Sequence, residues 1–188
     1  LVLGGYLGFV ATLLGLQLGG VDWMLGGLLA TFVLAFVVYG LGGVRQSATT
    51  SFGITVLGVA WVGAGIGCLL LVRDIPEFGF WAVMAVLFTV FEADTGAFFV
   101  GRTLGRHRMA PAISPNKSWE GFVGGVVAAI GMAFVILYKD RDEFLTIPES
   151  LVLGLVIALA AVLGDLFESA VKRDLDVKDS GRVLGGHG

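Results

Sequence analysis

The side chains best suited to chemistry crowd into the end of the chain, Ser169-Ala-Val-Lys-Arg-Asp-Leu-Asp-Val-Lys-Asp-Ser-Gly-Arg-Val-Leu-Gly-Gly-His-Gly188. Directly behind a long apolar segment stand Lys172, Arg173, Lys178 and Arg182, with Asp174, Asp176, Asp179, a glycine pair and His187. Cations and carboxylates mixed in this way suit a polyphosphate and its metal ions. At the mouth of a membrane helix they point to chemistry that joins a soluble nucleotide to a lipid. Just upstream, Asp165, Glu168, Ser169 and Lys172 fall at i, i+3, i+4 and i+7, one stripe of a helix. That stripe has two readings. It can hold a divalent cation and present it to a phosphate, or it is an ordinary helix end with an i,i+4 salt bridge between Glu168 and Lys172. Lys178-Asp179 repeats the cation–anion pairing further on, and the glycines near His187 let backbone approach a ligand closely.

A second group lies in the middle of the chain. Asp94 precedes Arg102 by about two helical turns; Arg106, His107 and Arg108 follow, then Ser114-Pro-Asn-Lys-Ser-Trp-Glu-Gly121. Ser118 together with Glu120 is expected to cap the next helix, whose N-terminal amides and dipole favour an anion near Lys117. Trp119 reads as an interfacial anchor and His107 as a solvated loop residue. The Gly101-x-x-x-Gly105 spacing lacks the Gly-Lys-Ser/Thr ending of a phosphate loop. A basic loop here also fits plain topology determination beside anionic lipid.

These groups need helices to hold them, and the composition says which solvent those helices meet. At 56% hydrophobic, 14% charged and a mean hydropathy of +0.92, the chain is too apolar for a water-soluble domain. About six stretches approach the ~20 apolar residues that cross a bilayer: roughly 1–18, 23–41, 52–72, 78–100, 119–138 and 150–171. The expected fold is an all-α, polytopic transmembrane bundle. It forms a single integral-membrane domain over 1–188, with N-terminal spans in 1–77 and a catalytic half in 78–188. Alternating barrel-type strands are absent from the pattern. The opening stretch has neither the basic flank nor the cleavage site of a signal peptide, and the chain reads as part of something longer. Small-xxx-small spacings recur at Gly4/Gly8, Gly15/Gly19, Gly63/Gly67 and Gly121/Gly125. The lone Cys68 is expected to be a packed core thiol.

Alternate links are net basic: 42–51, 101–118 and 172–188 against the acidic links between them, which places the basic ones in the cytoplasm. The acids Glu92, Asp94, Glu120, Asp165 and Glu168 then gather toward the cytoplasmic ends of the last three spans. Carboxylates in such segments are costly, roughly 2.5–3.5 kcal/mol for Asp at a helix centre, and their convergence argues for function.

On these residues the chain resembles the phosphatidate cytidylyltransferases (CDP-diacylglycerol synthases). Ser169, Lys172, Arg173, Lys178, Asp179, Gly181, Leu184, Gly185, His187 and Gly188 fall in register with that family's signature. The 164–169 block and the central DTGAFFVGRTLGR and SPNKSWEG blocks resemble it too. Asp176 stands where glycine is usual and Gly185 where proline is usual. The resemblance covers the chain from about Phe78 onward. It implies CTP and phosphatidate as substrates, CDP-diacylglycerol and pyrophosphate as products, and magnesium as cofactor, with a second cation left open. It implies Asp165, Asp179 and Glu168 as metal candidates and Asp165, Lys172, Asp179 and Asp94 as catalytic candidates. Lys117, Ser114, Glu120, Ser169, Arg173, Lys178 and His187 would hold substrate, His187 at the leaving pyrophosphate. The family continues into an Asp-Arg-x-x-Asp element whose aspartate joins Asp165 at the metal, so this stretch alone is expected to be inactive.

Two other readings stay open. A CTP-dependent polyprenol kinase shares the setting but releases CDP and needs a base for a lipid hydroxyl. A transporter predicts acids at broken helices near the midplane. No nucleic-acid partner is expected; glycine-rich helices permit a homodimer without requiring one. A bacterial inner membrane suits the short loops.

Overall fold

The computed structural model describes residues 2–42, 47–137 and 144–175. It is helical almost throughout and divides into two compact units, Leu1–Gly79 and Phe80–Gly188.

The first unit opens with α1 (Val2–Leu41), which is two arms. Gly19 (φ −150°, ψ 19°) and Gly20 (φ 72°, ψ −154°) leave helical geometry, and Gly20 occupies a backbone region open essentially only to glycine. The arms then run back along each other. Gly4 faces Ala35, Gly8 faces Thr31, and Gly27 faces Ala11 and Thr12, where an added Cβ would stand 2.6 Å from backbone atoms. Thr12 and Thr31, both buried, return their hydroxyls to the carbonyls of Gly8 and Gly27 at 2.8 and 3.0 Å. The expected spans 1–18 and 23–41 are these arms.

The next span, Ala48–Arg73, consists of α2 (Ala48–Gly58), a π-helical turn (Val59–Gly63) and α3 (Ala64–Arg73). It packs on α1 through small residues: Gly63 lies by Phe9 and Thr12, and Gly67 by the Met24 sulfur. Phe52 gathers Phe32, Phe36 and Tyr39 around it. Cys68 departs from expectation. It is exposed rather than packed, because its neighbour Gly67 takes the position facing α1.

The second unit holds α4 (Gly79–Leu104), β1 (Arg108–Ala110), β2 (Ser114–Ser118), α5 (Trp119–Leu137) and α6 (Ile147–Asp174). Counting α1 as one, five helices among the described residues are long and apolar enough to span a membrane. The expectation of about six follows from its two arms.

Helix contacts in this unit again run along small residues. Gly121 and Gly125 lie on Ala97, Gly101 and Ala93 of α4, and Gly154 of α6 lies on Ala129, Ile130 and Ala133 of α5. Ala93, Ala129 and Ala158 form the buried centre where the three helices meet. Close backbone approach replaces hydrophobic collapse as the source of contact energy in a bilayer. α6 begins on Pro148 and a capping box, with the Glu149 carboxylate accepting from the Thr146 N–H at 2.8 Å and its hydroxyl at 2.7 Å.

Within 101–118, read from the sequence as a basic loop, the structure forms a short hairpin after α4 ends at Leu104. Its strands pair antiparallel, Arg108 with Ser118 and Ala110 with Ser114, with a register shift between. Pro111 follows Ala110 into the turn closed by the Ile113 N–H on the Ala110 carbonyl, 3.2 Å, a position that proline's fixed φ favours. In a two-stranded ribbon Pro115 leaves no interior ladder bond unmade.

Candidate functional site

The hairpin carries Lys117 to α6. The Lys117 ammonium forms an ion pair with Asp165 Oδ2, joining β2 to the sixth helix, while half of the Asp165 side chain stays exposed. Asp94, on α4, is close enough to feel the charges of both Asp165 and Lys117. Three candidates from three elements thus converge at one end of the unit. Glu92, two residues before Asp94, projects about 200° around the same helix and is half-buried.

The stripe on α6 divides its partners. Asp165 is held from β2, whereas Glu168 pairs within its own helix with Lys172 at 2.9 Å, the salt bridge that the spacing allowed. Ser169 is half-buried one turn past Asp165. Arg173 reaches the hairpin, its Nε donating to the Ile113 carbonyl at 3.4 Å. Ser114 sits across the turn, half-buried and paired with Ala110.

Ser118 and Glu120 part company. Ser118 caps α5 as expected, its Oγ accepting from the Gly121 N–H at 3.2 Å. It is 4% exposed and walled by glycines: a Cβ at Gly105 would stand 2.6 Å from its Oγ, at Gly101 3.3 Å and at Gly121 3.1 Å. The Gly101/Gly105 pair therefore makes room for a hydroxyl. Glu120 does not join the cap. Its carboxylate turns back to accept from the N–H groups of Arg106 (3.1 Å) and His107 (3.2 Å) and meets His107 Nδ1 at 2.6 Å. His107 is solvent-facing as expected, but it is paired. Trp119 is half-exposed, edge-on to Phe122.

Lys178, Asp179 and His187 lie outside the described residues. Among the described residues no three acids, histidines or cysteines cluster as a metal cage. The arrangement is an open one: carboxylates of Asp165 and Asp94 beside Lys117, with Lys172 and Arg173 on the next turns of α6. Sequence reasoning found most of these residues. It missed the hairpin, the tie from Arg173 to Ile113 and the partners of Glu120, for which Pro111 and the glycines flanking Ser118 were the available signals.

A polytopic helical membrane protein with cations and carboxylates gathered at one end of three helices is the class that fold and site define. The model of the Cytidylyltransferase family matches residues 2–188, and the chain belongs to that family. It is 37% identical over 138 residues to a phosphatidate cytidylyltransferase of Bacillus subtilis, covering 72% of this chain and 50% of that protein. It is 42% identical over 136 residues to one of Mycobacterium leprae (71% and 42%) and 38% identical over 116 residues to one of Haemophilus influenzae (60% and 40%). The chain thus spans about half the length, or less, of these curated relatives.

Proposed function

We propose that this chain carries the catalytic half of an enzyme that transfers CMP from CTP to phosphatidate, giving CDP-diacylglycerol and pyrophosphate. The observation that carries this reading is the convergence of Lys117, Asp165 and Asp94 in a chain whose relatives bear the name phosphatidate cytidylyltransferase. The catalytic half is residues 78–188, and its reacting face lies on the cytoplasmic side of a bacterial inner membrane, where the basic links fall.

The lipid phosphate oxygen attacks the α-phosphorus of CTP in line. A new P–O bond forms, the α–β anhydride bond breaks, and pyrophosphate leaves with the electron pair. A phosphate monoester is already ionised at neutral pH, so no general base is required. Two anions must meet, and positioning with charge neutralisation is the protein's main task. Lys117 has three N–H donors and commits one contact to Asp165, leaving donors for a phosphate. Arg173 uses Nε on the hairpin and keeps its two terminal nitrogens for a forked contact. Lys172, about two turns past Asp165 on α6, adds charge. Lys178 and His187 complete the phosphate contacts in this proposal.

The donor chemistry fits magnesium, which takes one or two carboxylates and leaves other positions to water and substrate phosphates. Asp165, half-exposed beside Asp94, supplies such oxygens; Asp179 is the further candidate, and Glu168 enters only by leaving Lys172. Bound there, the ion would neutralise charge on the triphosphate.

The test uses the full-length protein in detergent with magnesium, CTP and phosphatidate, following pyrophosphate and CDP together. Pyrophosphate with a CDP-lipid product, lost in Asp165→Asn, supports the reading. CDP release with a polyprenol moves the chain to the lipid-kinase reading, and silence with every lipid and nucleotide overturns the enzyme.

A further inference from the structure

Glu120 is the second residue of α5, yet its carboxylate is spent on the opposite side of the hairpin stem. It accepts from two successive backbone N–H groups, Arg106 at 3.1 Å and His107 at 3.2 Å, and from His107 Nδ1 at 2.6 Å. The same stem is closed by the Trp119 N–H on the His107 carbonyl at 2.9 Å. At the other end of the ribbon, Arg173 grips the Ile113 carbonyl. A two-stranded ribbon is marginal by itself in water, and this one has strands of only three and five residues. Its position therefore depends on such ties. Lys117 lies between them, one residue before the end of β2, and it is the residue this ribbon delivers to Asp165.

We infer that Glu120, with His107, is a positioning residue that acts through Lys117: it clamps the stem of the hairpin and so sets the lysine against Asp165. A carboxylate already accepting three hydrogen bonds, with a quarter of its side chain exposed, is poorly disposed to bind an anionic substrate. The consequence for catalysis rests on the reaction proposed above; the clamp itself does not.

Two experiments separate these levels. The first needs no turnover. In full-length protein with Cys68→Ser, Lys117→Cys and Asp165→Cys, a short bifunctional thiol reagent should join the two positions. Adding Glu120→Ala should slow cross-linking about tenfold, whereas an unchanged rate in protein that still melts cooperatively overturns the clamp. The second is a cycle on activity with CTP and phosphatidate. Glu120→Ala should lower kcat/KM about tenfold or more, and in a Lys117→Ala background it should cost less than about twofold, the mark of two residues acting as one unit. His107→Asn, which keeps a side-chain N–H donor, should recover most of what His107→Ala loses. Losses that multiply in the double variant, or no recovery by Asn, overturn the action through Lys117. An inactive wild type with intact dependence of cross-linking on Glu120 condemns the proposed reaction and leaves the clamp standing.

Discussion

Lys117 and Asp165 meet across two elements that are far apart in sequence, and the pair is the sole ion pair among the described contacts that ties the hairpin to α6. The Lys117 ammonium nitrogen is buried while the Asp165 side chain is 50% exposed, so water screens the attraction from the aspartate's side alone. Its value is placement. Asp165→Asn should lower CTP-dependent pyrophosphate release by about a hundredfold or more, the scale of a group that acts on developing charge, while moving the melting temperature by only a few degrees. Activity within threefold of wild type would remove Asp165 from the site.

Glu168 and Lys172 should behave unequally. Their i,i+4 contact at 2.9 Å is of the helix-surface kind, worth about 0.3–0.5 kcal/mol. Glu168→Gln should therefore cost less than about threefold in kcat/KM, and Lys172→Met more than about tenfold, through a raised KM for CTP. A loss in Glu168→Gln that is reversed by higher magnesium would instead make Glu168 a metal ligand.

Substitution of the glycine neighbours in α1 should separate packing from propensity. A Cβ at Gly26 meets nothing within 4 Å, while one at Gly27 meets Ala11 and Thr12 at 2.6 Å. Gly27→Val should destabilise the detergent-solubilised protein by about 1–3 kcal/mol through overpacking, and Gly26→Ala should be neutral within about 0.5 kcal/mol. Thermal melts of the two variants decide it.

Ser118 tests the glycine wall. Ser118→Ala removes a helix cap and should cost about 1 kcal/mol. Ser118→Val adds bulk against Gly101, Gly105 and Gly121, and should also displace Lys117 next to it. Its activity should fall further than its stability accounts for, read as kcat/KM measured well below the melting point.

Much of this was legible because a bilayer leaves few options. Long apolar runs must be helices, since every backbone group needs an internal partner there, and expected spans end within a few residues of the observed ones. Asp94 and Asp165 stood out because charge is costly in such segments. The hairpin was not legible: its strands show no alternation, and it depends on ties from Arg173 and Glu120 that come from other elements. The same reason hid the role of Glu120. Read along the chain it is an acid near a helix start, and only the folded stem shows that its partners are Arg106 and His107. Cys68 is exposed because successive helix positions turn by about 100°, and the glycine beside it takes the packed side.

The reversal at Gly19-Gly20 has a bearing on how the protein is made. Between Val2 and Leu41 the chain carries one formally charged side chain, Asp22, placed just past the bend. Two arms that satisfy their own backbones and fit each other through glycine and threonine can leave the translocation channel as a pair, bend first, with a single carboxylate to move through the hydrocarbon. The pair would then be a preassembled surface on which the following span, Ala48–Arg73, can settle as it emerges.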